Sequence, residues 1–169
     1  MAHIIIDGYN YISRNRVSRL EGVSQVDTLR QSLLEKLTRY KRQKGGRITV
    51  VFDAYKSLSL GRQQENYKGI EVVYSRVGET ADDVMIGWIR ERRAGMVIVS
   101  SDREIIDAAK QQGIPFITPV RMEELMAEAT AESYNKVDEE EARQTKKGNP
   151  RRLPKKLRKV VKTIEKISR

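Results

Sequence analysis

Four aspartates stand where an apolar strand-like run ends or a helix-like run begins. They are Asp7 after Ile4-Ile5-Ile6, Asp53 after Ile48-Thr49-Val50-Val51-Phe52, Asp82 within Glu79-Thr80-Ala81-Asp82-Asp83, and Asp102 after Val97-Ile98-Val99-Ser100-Ser101. In an open parallel sheet the carboxyl ends of the strands share one edge, and ligand sites form in the crevice outside it. Parallel strands would therefore bring the four carboxylates together. Two unit charges about 4 Å apart repel by roughly 4 kcal/mol at an effective dielectric near 20, so such a cluster calls for a cation, bound protons or strong hydrogen bonds. A divalent metal site is the economical reading. Magnesium or manganese takes hard oxygen ligands and leaves positions open for water and phosphate oxygens, which is what phosphodiester hydrolysis requires. Two ions about 3.5 to 4 Å apart would use three or four carboxylates, the number offered here.

The elements that must position these residues follow from hydrophobic pattern. Five short runs rich in Ile and Val, near 4–6, 48–52, 70–74, 96–99 and 115–117, alternate with longer segments of helical period. That alternation predicts an α/β fold with a mostly parallel sheet covered on both faces. Leu29, Leu33, Leu34, Leu37 and Tyr40 recur at spacings of three and four, and Gly45-Gly46 closes this stripe where a C-terminal cap is favoured. Thr80 is placed to cap a helix whose first turn holds Asp82 and Asp83. Further helices are expected from Asp102 to Gly113 and from Met122 to Tyr134, with the acidic run after Asp138 as a solvated boundary.

Composition bounds the rest. The 169 residues suit one domain with an appendage, and the absence of cysteine excludes disulfides, zinc-thiolate sites and thiol nucleophiles and leaves the cytoplasm as the default compartment. No apolar run approaches a membrane span or a secretory signal. The net charge of +10 is concentrated at one end. Residues 1–142 hold 21 Lys+Arg against 22 Asp+Glu, whereas residues 143–169 hold 12 against 1. A neutral body (1–142) is thus followed by a basic linker (143–154) and a basic amphipathic helix (155–169) with the stripe Leu157, Val160, Val161, Ile164 and Ile167. Such an arm attracts polyanions over long range, and RNA or a ribonucleoprotein surface is the partner it suits best. Its Arg151, Arg152, Lys155, Lys156, Arg158 and Lys159 are candidate RNA contacts, joined in the body by Lys56, Arg62 and Lys68 after Asp53.

The stretches IIIDGYNYI, VVFDA, ETADD and VSSDREI, in this order, resemble the bacterial YacP-like branch of the NYN domains, within the PIN-like nuclease superfamily. Asp-Gly-Tyr-Asn points to NYN domains and Glu-Thr-Ala-Asp to this branch; the resemblance runs over roughly residues 3 to 135. It implies a PIN-like three-layer α/β/α sandwich and a metal-dependent endoribonuclease. It also implies that Asp7, Asp53, Asp82 and Asp102 are the catalytic and metal-binding acids, with Asn10 and Ser101 as supporting polar groups. Asp83, beside the matching aspartate, takes a supporting or alternate-ligand role.

Other readings of the same residues have definite signatures. Any one of the aspartates could cap a helix or form a turn, Asn10 could support the turn after Gly8, and Ser100 and Ser101 could be capping hydroxyls. Asp53 with Asp7 is similar to the pattern of phosphoacceptor receiver domains, but the paired acids expected at the first strand end are missing, since Gly8-Tyr9 follows Asp7. His3, the single histidine, stands at the start of the first strand and is not placed for acid-base catalysis. The expectation is a cytoplasmic, magnesium- or manganese-dependent endoribonuclease recruited by its tail to RNA or the ribosome, without a membrane partner. The alternative is a non-catalytic RNA- or ribosome-binding adaptor on the same scaffold.

Overall fold

The computed structural model describes residues 2–14, 23–54 and 61–146. Lys56 and the tail candidates Arg151, Arg152, Lys155, Lys156, Arg158 and Lys159, with the amphipathic helix expected there, lie outside the described residues. In chain order the elements are β1 (His3–Asp7), α1 (Gly8–Arg14), α2 (Val23–Lys44), β2 (Arg47–Phe52), β3 (Gln63–Tyr67) and β4 (Ile70–Tyr74), followed by α3 (Ala81–Arg90), β5 (Met96–Val99), α4 (Arg103–Gln111), β6 (Phe116–Ile117) and α5 (Pro119–Lys146).

The strands form one sheet in the order β3-β4-β2-β1-β5-β6. Every pairing is parallel except β3 with β4. β1 is central, with Asp7 opposite Val51 of β2 and Ile6 opposite Val99 of β5. Because both faces of β1 are covered, its apolar residues run consecutively instead of alternating. Ile6 joins Val50, Phe52, Leu33, Leu34 and Leu37 in one core with α1, α2 and the start of α5. Ile5 joins Val51, Val73, Trp88, Ile89 and Ile105 in the other, with α3 and α4. The α/β sandwich with a mostly parallel sheet is therefore present, with one strand more than the five apolar runs.

The extra strand, β3, has the polar sequence Gln-Gln-Glu-Asn-Tyr and is exposed over its first four residues. It lies at the sheet edge, paired with β4, with its last residue Tyr67 packed against the core and bonded to Gln31 and Glu35 of α2, and its first four residues carry no hydrophobic signal. The α2 stripe behaves as its spacing predicts, with Leu33, Leu34 and Leu37 buried and Leu29 and Tyr40 packed against them. Gly45 and Gly46 have φ of 73° and 86°, and the Gly45 N–H returns to the Lys41 carbonyl at 2.8 Å, a left-handed C-terminal cap.

α5 is longer than the Met122–Tyr134 segment expected. It opens with Pro119, and the Thr118 hydroxyl accepts the Arg121 N–H at 3.2 Å. It continues through the acidic run, so the expected body boundary at 142 falls inside a helix. The chain divides into compact units at Thr130, also within α5. Among the described residues no helix is long and apolar enough to cross a membrane.

β1 and β5 are neighbours, yet the chain leaves β1 for the α1/α2 face and leaves β5 for the α3/α4 face. A crevice opens at such a switch point, outside the carboxyl ends of the two strands.

Candidate active site

Asp7 ends β1 at this crevice and is only 4% exposed. Its Oδ1 accepts the Asn10 N–H at 3.2 Å, and its Oδ2 accepts the Ser100 hydroxyl at 3.3 Å. The next residue must be glycine for steric reasons. A Cβ on Gly8 would lie 2.3 Å from the Cε1 of Phe52, whose ring closes the core below the site. The Gly in Asp-Gly-Tyr-Asn thus lets α1 start directly over the end of β2.

Asn10 and Ser101 are brought together, but with each other. The Asn10 Oδ1 accepts both the Ser101 N–H at 2.9 Å and the Ser101 hydroxyl at 2.8 Å. Ser100, fully buried, was not in the predicted site and has the more central position. Its hydroxyl donates to Asp7 and accepts the Asp102 N–H at 3.0 Å. Asp102 is the N-cap of α4, its Oδ1 accepting the Glu104 N–H at 2.8 Å. The capping reading of Asp102 is thus borne out, at a position beside Ser100 and the end of β5.

Asp53 follows β2, and its Oδ1 accepts the Ala81 N–H at 2.7 Å, the first residue of α3. Thr80 caps that helix as predicted, in a reciprocal box with Asp83: the Thr80 hydroxyl accepts the Asp83 N–H at 3.1 Å, and the Asp83 carboxylate accepts the Thr80 N–H at 3.0 Å. Asp83 is thereby committed to the helix start, its carboxyl held below the ordinary range by the Thr80 N–H and hydroxyl. Asp82, one residue earlier, is partly buried.

The electrostatics join the four acids. Burial pushes the Asp7 carboxyl up to about 7, the Asn10 N–H and Ser100 hydroxyl oppose the rise, and the carboxylates of Asp82 and Asp53 add to it. Asp82 is also raised, by burial and then by Asp102, Asp53, Glu104 and Asp83. The charges that act most on these two groups are negative. Such a set of hard oxygen donors fits magnesium or manganese, whose charge would relieve the repulsion. Among the described residues no three of these side chains stand close enough to share one ion as they are. The fit to a metal therefore rests on the donor chemistry of the acids.

Of the predicted cations in the body, Arg62 stands at the carboxyl edge, where β3 begins opposite Tyr74. Its Nε donates to Glu79 at 2.9 Å, and Glu79 also accepts the Arg76 N–H at 3.3 Å. Lys68 is at the opposite edge. It occupies the turn between β3 and β4, 3.6 Å from Glu35 and over the Tyr67 ring, because the hairpin carries the chain back along the full strand length. His3 also lies at that far edge, bonded to Thr49 at 2.7 Å, with burial holding its imidazole below the usual range.

Beside the acids, on the α2 side, the Tyr9 ring meets Phe52 edge-on at 5.1 Å and Phe52 stacks with Tyr74 at 6.0 Å. Arg30 of α2 lays its guanidinium 5.8 Å from the Phe52 centroid and 5.5 Å from that of Tyr74. The sequence gives no local sign of this arginine's position, since it sits within an ordinary amphipathic helix.

The model of the YacP-like NYN domain matches residues 4–168, and so includes the basic segment that the motifs alone did not reach. A curated relative, the uncharacterized protein YacP of Bacillus subtilis, is 31% identical over 80 residues, 47% of this chain and 46% of that protein. The aligned segment thus spans about half the length of the curated relative. The crystal structure of Rae1 (YacP) from Bacillus subtilis superposes with a TM-score of 0.66 at 22% identity, covering 99% of this chain and 95% of the other. A mutant form of the same protein gives a TM-score of 0.59 at 23% identity, over 89% and 87%. The solved structures share the fold. On the match of nearly its whole length, the chain belongs to the YacP-like NYN domain family.

Proposed function

We propose that the protein is a metal-dependent endoribonuclease acting in the cytoplasm. The observation that carries this reading is the set of four aspartates at one sheet edge, two of them pushed toward protonation by burial and by one another. Asp7, Asp53, Asp82 and Asp102 would hold magnesium or manganese. When bound, the ion supplies an activated water and neutralises charge on the phosphate. Asn10 fixes the loop after β5 through Ser101, and Ser100 orients both Asp7 and the backbone at Asp102. Asp53 fixes the start of α3 and so the position from which Asp82 extends. In the metal-free site, Asp7 keeps its proton up to neutral pH, which limits the repulsion among the acids.

The excess of 12 basic over 1 acidic residue beyond position 142 supports recruitment to RNA or to the ribosome by the tail, with Arg151, Arg152, Lys155, Lys156, Arg158 and Lys159 as contacts. With 6 to 10 phosphate contacts, affinity would fall roughly a thousandfold or more between 50 and 200 mM salt.

The test is cleavage of a mixed pool of single-stranded and structured RNA with manganese or magnesium. The wild type is compared with Asp7→Asn and with the wild type in EDTA. Cleavage lost in both controls is the expected result. Equal turnover by a pure preparation of Asp7→Asn, or no cleavage by folded, metal-supplied wild type, would overturn it, and the latter would favour the adaptor.

A further inference from the structure

We propose that Arg30 is the substrate-binding cation of this site: its guanidinium, laid on the rings of Phe52 and Tyr74, takes a phosphate of the RNA strand on the α2 side of the carboxylates. The proposal rests on the nuclease reading and assigns to that site a contact that the four acids cannot make. An all-acidic crevice repels a phosphodiester backbone, so strand binding needs a cation near the acids and separate from any metal.

The position of Arg30 follows from the fold. α2 runs back along the sheet and ends at Lys44, just before β2 starts at Arg47. Arg30 lies 14 residues before that end, about 21 Å along the helix at 1.5 Å per residue, whereas the 6 residues of β2 span about 20 Å. The side chain therefore reaches the carboxyl end of the sheet, consistent with its contacts to the last residues of β2 and β4.

Phe52 and Tyr74 face α2, whereas Asp53, the next residue after Phe52, turns toward α3. Arg30 and the acids thus flank the same sheet edge from opposite faces. A strand laid across the edge meets the acids on one side and Arg30 on the other.

The chemistry of the contact suits phosphate. The guanidinium stands 5.8 and 5.5 Å from the two ring centroids and also interacts with the Tyr74 hydroxyl, and its planar five-donor fork has the shape that matches phosphate oxygens. The neighbouring cation Arg62 is held by Glu79, and Lys68 is at the far edge. Tyr9 stands between the two halves of the site: its hydroxyl is raised by burial and feels both the Arg30 cation and the Asp53 carboxylate.

The experiment uses the full chain carrying Asp7→Asn, so that RNA is not consumed, and a fluorescein-labelled single-stranded 12-mer followed by anisotropy from 50 to 300 mM salt. Adding Arg30→Gln should weaken binding about tenfold, the effect of losing one charged hydrogen-bonded contact. It should also reduce the slope of log Kd against log salt by about 0.7, one single-strand phosphate contact. Arg30→Lys should restore the slope and only part of the affinity. Lys110→Gln, at the far end of α4, removes the same charge as a control and should leave both unchanged.

Equal binding by the Asp7→Asn parent and the folded Arg30→Gln double variant would overturn the proposal, as would equal losses in the Arg30 and Lys110 variants. Because binding is read without cleavage, an inactive wild type with Arg30-dependent binding would remove the nuclease reading and leave this contact standing. Active wild type with Arg30-independent binding would do the reverse.

Discussion

Asp7→Asn should make the metal-free protein more stable, although it removes a residue proposed for catalysis. The ordinary carboxyl value of 3.8 rises to about 7 in the folded chain, chiefly through burial. Between those values the native state holds a proton that the unfolded state has lost, so stability falls as pH rises through that window. About 3 units at roughly 1.4 kcal/mol each set a ceiling near 4 kcal/mol, and local relaxation and water entry reduce the expectation to about 2 kcal/mol. Asparagine keeps one acceptor, for the Asn10 N–H, turns its amide nitrogen toward the Ser100 oxygen in place of the second, and carries no charge to desolvate.

For a domain of this size, about 2 kcal/mol corresponds to roughly 4 to 8 °C in Tm. Thermal melts in EDTA at pH 4, 6 and 8 should show the two proteins close together at pH 4, with the variant gaining through pH 6 and fully ahead by pH 8. Groups that do not feel Asp7 titrate alike in both proteins and cancel in the difference, whereas relief of the repulsion from Asp82 and Asp53 adds to the variant's gain. Manganese at pH 8 should then raise the wild type more than the variant. Parallel Tm-against-pH curves, or a metal-free wild type that melts higher at pH 8, would refute the argument that burial holds this carboxyl protonated.

Two further outcomes test the supports of the site. Gly8→Ala drives a Cβ into Phe52 at 2.3 Å, and overpacking of this kind costs about 1 to 3 kcal/mol; calorimetry showing stability within about 0.5 kcal/mol of wild type would mean the ring can step aside. Glu79→Gln removes the partner of Arg62 in front of α3 and should lower stability by about 1 kcal/mol at pH 7. The Glu79 carboxyl is held below its ordinary value of 4.5, first by the Arg62 hydrogen bond, so its stabilisation is present above that value and is lost as pH falls below it; a deficit that persisted unchanged at pH 3 would count against the ion pair as its cause.

The parts of the molecule that were legible are those whose burial is written in consecutive or periodic apolar residues. β1, β2, β4 and β5 and the buried stripe of α2 fall into this class. β3 was invisible because its first four residues are polar and exposed and Tyr67 at its end is the one residue that packs inward, too little for a strand pattern. In the site, the acids were legible because each ends a strand or opens a helix. The division of labour among their neighbours was not. Ser100 and Ser101 are equivalent in sequence, and only the alternation of faces past Val99 decides which reaches Asp7 and which reaches Asn10. Asp82 and Asp83 are likewise adjacent and chemically identical, and the three-residue spacing from Thr80 commits the second to the capping box. The position of Lys68, at the edge opposite the acids, was not legible because the hairpin that carries it there is the one formed by β3.

The serine pair has a consequence for how the sheet assembles. Ile4-Ile5-Ile6 and Val97-Ile98-Val99 are so alike along their lengths that apolar contact alone distinguishes poorly between one alignment of β1 with β5 and another two residues away. The bonds from Ser100 to Asp7 and from Ser101 to Asn10 can form together in one alignment only, and they sit where the strands end. Polar groups at the crevice thus act as an address that greasy strands cannot write for themselves. A substitution there can leave a population of chains with the sheet out of step, and a lost activity would then report a misaligned strand as readily as a missing functional group.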